Sequence, residues 1–117
     1  MILPSKELLS EVLGEKVVSA GKGVYSESKI CYTLSKMGTF VYRDINIYEL
    51  AHKCKEWAWK THNKILSSEG SIDDWLCIIA HFNNDLTVDI EISHSSNTEP
   101  EAIFKACQWI LDNKDKQ

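Results

Sequence analysis

Trp75-Leu-Cys-Ile-Ile-Ala-His-Phe-Asn-Asn-Asp-Leu-Thr-Val-Asp-Ile-Glu-Ile-Ser93 is the stretch on which the reading of the fold turns. Residues Trp75 to Phe82 are apolar at both alternating positions, broken only by His81, which predicts a strand covered on both faces. Asn83-Asn84-Asp85 supplies residues that tolerate positive φ and turn the chain back. The return segment alternates, with Leu86, Val88, Ile90 and Ile92 expected to face in and Thr87, Asp89, Glu91 and Ser93 to face out. Two strands joined by so short a turn pair antiparallel, because a parallel pair needs a crossover of a dozen residues or more.

Helical periodicity brackets this hairpin. After it, Thr98-Glu-Pro-Glu101 combines an N-cap hydroxyl, a first-turn proline and a capping-box glutamate, and Ile103, Ala106, Cys107, Ile110 and Leu111 mark one buried stripe. Before it, Asn46-Ile-Tyr-Glu49 opens a helix whose apolar stripe is Ile47, Leu50, Ala51, Cys54, Trp57 and Ala58, with an end expected between Thr61 and Asn63. Further back the period shortens to two over Lys16–Ala20, Lys29–Ser35 and Thr39–Tyr42, with Gly21, Gly23 and Gly38 as punctuation. A first short helix runs from a Ser5 cap through Leu8, Leu9, Val12 and Leu13 to Gly14. The expected architecture is α+β: a largely antiparallel sheet packed with helices, in the order helix, strands, helix, strands, helix, in a single domain over residues 1–117.

Composition narrows the function. Of 117 residues, 44% are hydrophobic and 26% charged, ordinary for a globular chain, and the longest apolar run is far shorter than the ~20 residues of a membrane span. No basic segment leads into an apolar one at the start, so a cytoplasmic location is expected. The four cysteines, Cys31, Cys54, Cys77 and Cys107, lie more than twenty residues apart and suit buried, reduced thiols better than a zinc site. His52, His81 and His94 form no His-x-x-x-His pair, the serines lie in no Gly-x-Ser-x-Gly setting, and Gly21-Lys-Gly23 is too short for a phosphate loop. The chain is therefore read as non-enzymatic, without catalytic residues, metal ligands or cofactor.

Charge is the one asymmetry. Between Ile65 and Phe104 stand eight acidic residues (Glu69, Asp73, Asp74, Asp85, Asp89, Glu91, Glu99 and Glu101) and no Lys or Arg, within a net charge of −4. Such a segment repels nucleic-acid phosphate and attracts a basic protein surface. Trp57 and Trp59 point about 200° apart on their helix, so Trp57 joins the core and Trp59 faces outward as a candidate binding anchor. The candidate partner-binding residues are Trp59, Asp73, Asp74, Asp85, Asp89 and Glu91. The competing reading is a small-ligand or nucleotide-binding module with a pocket near Trp75, His81 and His94. A homodimer is also compatible with these residues.

Two segments carry a resemblance. Glu7-Leu-Leu-Ser-Glu-Val-Leu-Gly14 and, more strongly, Asn97-Thr-Glu-Pro-Glu-Ala-Ile-Phe-Lys-Ala-Cys-Gln-Trp-Ile-Leu-Asp112 resemble the small bacteriophage and prophage proteins of the phage α-β-α sandwich type. Thr98, Pro100, Ala102 and Ile103 match its closing helix as capping and packing residues, so the resemblance implies a fold and a phage origin rather than a chemistry. The expectation that follows is an accessory protein acting in the host cytoplasm by binding a host or defence-system protein, as an inhibitor of a nucleic-acid-binding effector of the CRISPR-nuclease kind.

Overall fold

Each helix begins and ends on its own chemistry. In the computed structural model, which describes residues 3–22, 28–70, 72–83, 85 and 87–113, α1 spans Lys6–Leu13. Ser5 Oγ accepts from the Leu8 amide at its start, and Gly14 ends it at φ 69°, a left-handed conformation that costs a residue without a Cβ nothing. Three strands follow: β1 (Val17–Lys22), β2 (Lys29–Lys36) and β3 (Thr39–Asn46), paired antiparallel in the order β1-β2-β3. Met37 (φ 50°) and Gly38 (φ 81°) form the two-residue turn between β2 and β3, since a turn positive in φ at both centres matches strand twist. The expected position 23 and segment 24–27 lie outside the described residues.

Helix α2 (Ile47–His62) starts where β3 stops. The Asn46 side chain accepts from the Tyr48 amide at 2.8 Å, and Asn63 (φ 55°) closes the other end. Every residue of the expected stripe, Ile47, Leu50, Ala51, Cys54, Trp57 and Ala58, is buried. The second sheet then comprises β4 (Lys64–Gly70), β5 (Trp75–Phe82) and β6 (Val88–Ser96), antiparallel in the order β4-β5-β6. Helix α3 (Glu99–Asn113) closes the chain, with the Glu101 amide donating to Thr98 Oγ1.

The α+β, antiparallel arrangement agrees with the sequence reading, with three differences. The strands divide into two three-stranded sheets rather than one. Strand β3 runs four residues past Tyr42, and β4 was not foreseen. The reason for the second omission is that Lys64 is buried (1% exposed) whereas Ile65 is exposed, the reverse of what side-chain polarity announces.

The helices carry the packing between sheets. Helices α2 and α3 pack on each other and on one face of the second sheet, while α1 packs on β1. Leu8, Leu9, Val17, Ile30, Leu34, Leu50, Cys77, Ile79, Ile103 and Ile110 belong to one continuous core. From β5 that core takes Cys77 and Ile79, whereas Leu76, Ile78 and Phe82 are only half-buried and outside it. The expectation that β5 is covered on both faces is thereby corrected: helices cover one face and leave the other open.

Candidate functional site

The open face of the second sheet follows from its register. One row across the strands is Ile65, Ala80 and Ile90, and the next is Phe82 and Val88. In the other direction Ile78 lies between Ser67 and Ser93, and Leu76 between Glu69 and Ser95. Ile90 is 74% exposed, Val88 50% and Ile65 37%. Ala80 is buried yet stands outside the core, screened on this face by the isoleucines of its own row.

Val88 and Ile90 were expected to face in, and a bulge reverses them. Ile79 pairs with Ile92 but Ala80 pairs with Ile90, so Glu91 is an additional residue on β6. An extra residue breaks strict alternation, and the segment before it presents the opposite face. Val88 and Ile90 accordingly join Phe82 and Ala80 on the open side. The side chains of Glu91 and Ile92, and residues 84 and 86, lie outside the described set.

Acidic groups stand toward both ends of this sheet, although Asp89, expected to face out with Thr87, shares its row with His81 and Lys64 and so lies on the helix side, exposed at the sheet's margin. At the hairpin end Asp85 Oδ1 accepts from the Thr87 hydroxyl (2.6 Å) and amide (3.1 Å), which lowers the Asp85 pKa, and Asp89 Oδ2 accepts from Asn83 Nδ2 at 2.9 Å. The other end, in and beside the β4–β5 turn, carries Glu69, Asp73 and Asp74, all exposed. Glu69 is level with Leu76 and Asp89 with His81, so even the nearest acids of the two groups stand roughly 17 Å apart along β5, beyond the ~8 Å Debye length at physiological salt, and the acids act as two local clusters. Glu101 is not part of either surface, being buried with its carboxylate accepting from Ser96 Oγ at 2.6 Å. Residues 65–96 contain no Lys or Arg, and the next cation, Lys105, holds its Nζ 3.0 Å from the Ser95 carbonyl.

Of the residues singled out from the sequence, Trp59 reaches this surface. It is 45% exposed, and its ring stands edge-on to Phe82 with centroids 5.9 Å apart. Trp59, Asp85 and Asp89 gather at the hairpin end, Asp73 and Asp74 at the other. The isoleucines and Val88 between them were missed because alternation alone assigned β6 to the core.

The two histidines named for the competing ligand pocket stand apart. His94 pairs with Cys77 and His81 with Lys64 and Asp89, four residues apart along β5 or roughly 13 Å. Trp75 pairs with Gly70 and lies so close over it that a Cβ there would sit 2.9 Å from the ring. His94 instead borders a separate groove of about 330 Å³ with Leu3, Pro4, Phe104 and Trp109. Burial first, and Lys105 second, lower the His94 pKa below its ordinary 6.5. A depressed basic group is protonated first in the unfolded chain, so stability holds above pH 6.5 and declines as pH falls until the folded ring also protonates. His94→Phe is expected to flatten that part of the acid slope in melting curves from neutral pH to about pH 5. An unchanged slope would assign it to other groups.

Chemistry elsewhere is sparse. Cys54, Cys77 and Cys107 are buried free thiols, and burial pushes the Cys77 pKa up to about 11, which suits packing rather than nucleophilic attack. Cys31 is a free thiol too, but exposed. His52 pairs with Glu56 at 2.9 Å on the solvent side of α2. The outer face of the first sheet also exposes aromatics, Phe40 and Tyr42, but they lie on edge strand β3 beside Ser35 and Thr33, so no apolar row crosses that sheet. Among the described residues no helix is long and apolar enough to cross a membrane, and no group of His, Cys, Asp or Glu side chains could hold a metal ion. No family model, curated protein or solved structure matches this chain.

Proposed function

We propose that this chain is a non-enzymatic accessory protein of the phage type, which binds a host or defence-system protein in the host cytoplasm through the open face of its second sheet. The observation that carries the reading is the apolar row Ile65, Ala80, Ile90 with Val88 and Phe82 beside it, on the side of the sheet that α2 and α3 leave open. Contiguous exposed apolar surface rimmed by charge marks interaction sites on small proteins. Trp59 at its margin is the residue type that anchors interfaces.

Charge selects the partner. A face with acids toward both ends, on strands whose one lysine, Lys64, is buried on the helix side, complements an apolar patch flanked by Lys or Arg. A second copy docked face to face would set acidic ends against acidic ends, which electrostatic complementarity disfavours. Effectors that grip nucleic-acid phosphate present basic surfaces of the required sign, and this favours an inhibitor of such an effector within the broader class.

Photo-crosslinking tests the reading. With a benzophenone side chain at position 90, the chain expressed in a host cell is expected to yield one principal adduct with a host protein. That adduct should disappear in an Ile65→Lys background and weaken as salt is raised. An equal yield from position 37, on the first sheet, would overturn the choice of surface, and an adduct with a second copy would overturn the foreign partner.

A further inference from the structure

We infer that the element seated on this face is an amphipathic helix of the partner, with a narrow apolar stripe bordered by Lys or Arg, lying along β5 as a third layer opposite α2 and α3. This rests on the docking reading above and adds the shape of what docks.

The outline of the apolar surface supports a helix over a second sheet. Along β5 the face is a spine of Leu76, Ile78, Ala80 and Phe82. On β4 the spine is flanked by Ser67 and Glu69 and on β6 by Ser93 and Ser95, so over half its length it is one strand wide. A helix, about 10 Å in diameter with an apolar stripe roughly 100° wide, covers such a spine and leaves those hydroxyls and the carboxylate in water. A sheet laid across all three strands would bury them without partners. Ala80 between Ile65 and Ile90 forms a saddle that can receive one large apolar side chain from the helix.

Length and edges agree with this. Leu76 to Phe82 spans roughly 20 Å, the length of about fourteen helical residues at 1.5 Å per residue. Glu69 beside Leu76 at one end and Asp85 in the turn at the other lie where flanking cations of a helix that long would fall. At the β6 edge of the sheet, one of its two, addition of a partner strand is opposed by the bulge at Glu91, which interrupts the ladder such a strand would extend.

The test uses two synthetic peptides of about fourteen residues, identical in Leu and Lys content, one patterned at helical spacing and the other with Leu and Lys alternating. Titrated into the isotope-labelled chain, the helical pattern is expected to become helical on binding and to shift amides of β4, β5 and β6. Its affinity should fall at least tenfold in Ile65→Lys/Ile90→Lys, with the variant's melting curve showing that it still folds. Should that variant unfold, Ile65→Ser/Ile90→Ser carries the same comparison without added charge. Equal or tighter binding of the alternating peptide, no binding of either, or shifts confined to Phe40 and Tyr42 or to the His94 groove would overturn the helix. Loss of the crosslink from position 90 would instead overturn the docking reading itself, so the two failures are separable.

Discussion

Trp57→Ala is expected to destabilise the protein by about 4 kcal/mol, whereas Trp59→Ala, two residues along the same helix, should cost about 1 kcal/mol. At 100° per residue the two side chains point to opposite sides of α2. Trp57 is 6% exposed within the core, and its ring meets His62 edge-on with centroids 4.8 Å apart. Its Nε1 has no acceptor among the described residues, so the loss is one of packing rather than of a hydrogen bond. Trp59 is 45% exposed and meets Phe82 edge-on, so less of it is lost from packing. Thermal melts of the two variants decide the matter, and comparable losses would mean that α2 is rolled about its axis relative to the arrangement described.

The second large effect contrasts two isoleucines on adjacent strands. Ile79→Ala is expected to cost about 3 kcal/mol, because Ile79 is fully buried under the helices and its truncation leaves a cavity. Ile90→Ala should change stability by no more than about 0.5 kcal/mol, since that side chain is 74% exposed and surface substitutions rarely do more. Urea unfolding of both variants, with unchanged slopes, is the measurement. A loss of several kcal/mol at Ile90 would return β6 to the orientation that simple alternation implies and remove the open face.

How much of this was legible in the sequence differs by element. The three helices were, because caps and stripes are local: Ser5, Gly14, Asn46 and Thr98 act within one turn of their own position, and a 3.6-residue period distinguishes the buried face without reference to the rest of the chain. The separation of Trp57 from Trp59 needed only helix geometry. The β5–β6 hairpin was legible as a pairing, since its turn is also local.

The faces of the strands were not. A strand carries two equivalent faces, and which one is buried depends on what the rest of the chain packs against it. Lys64 points where an apolar residue was to be expected and Ile65 where a polar one was, so β4 had no readable alternation. At Glu91 a single additional residue reverses the faces of Val88 and Ile90, and nothing in Val-Asp-Ile-Glu-Ile announces it. The acidic residues likewise form one run in sequence but two clusters at opposite ends of β5, because antiparallel strands return their ends to different poles of the sheet.

The sequence by itself therefore determined the helices, the antiparallel pairing and the acidic character of the second half, all of which depend on neighbours within a few residues. Only the tertiary structure decided that an apolar face lies open between the two acidic clusters. That face exists because α2 and α3 cover one side of the second sheet and a bulge turns two aliphatic side chains of β6 to the other, and both causes act between residues remote in the chain.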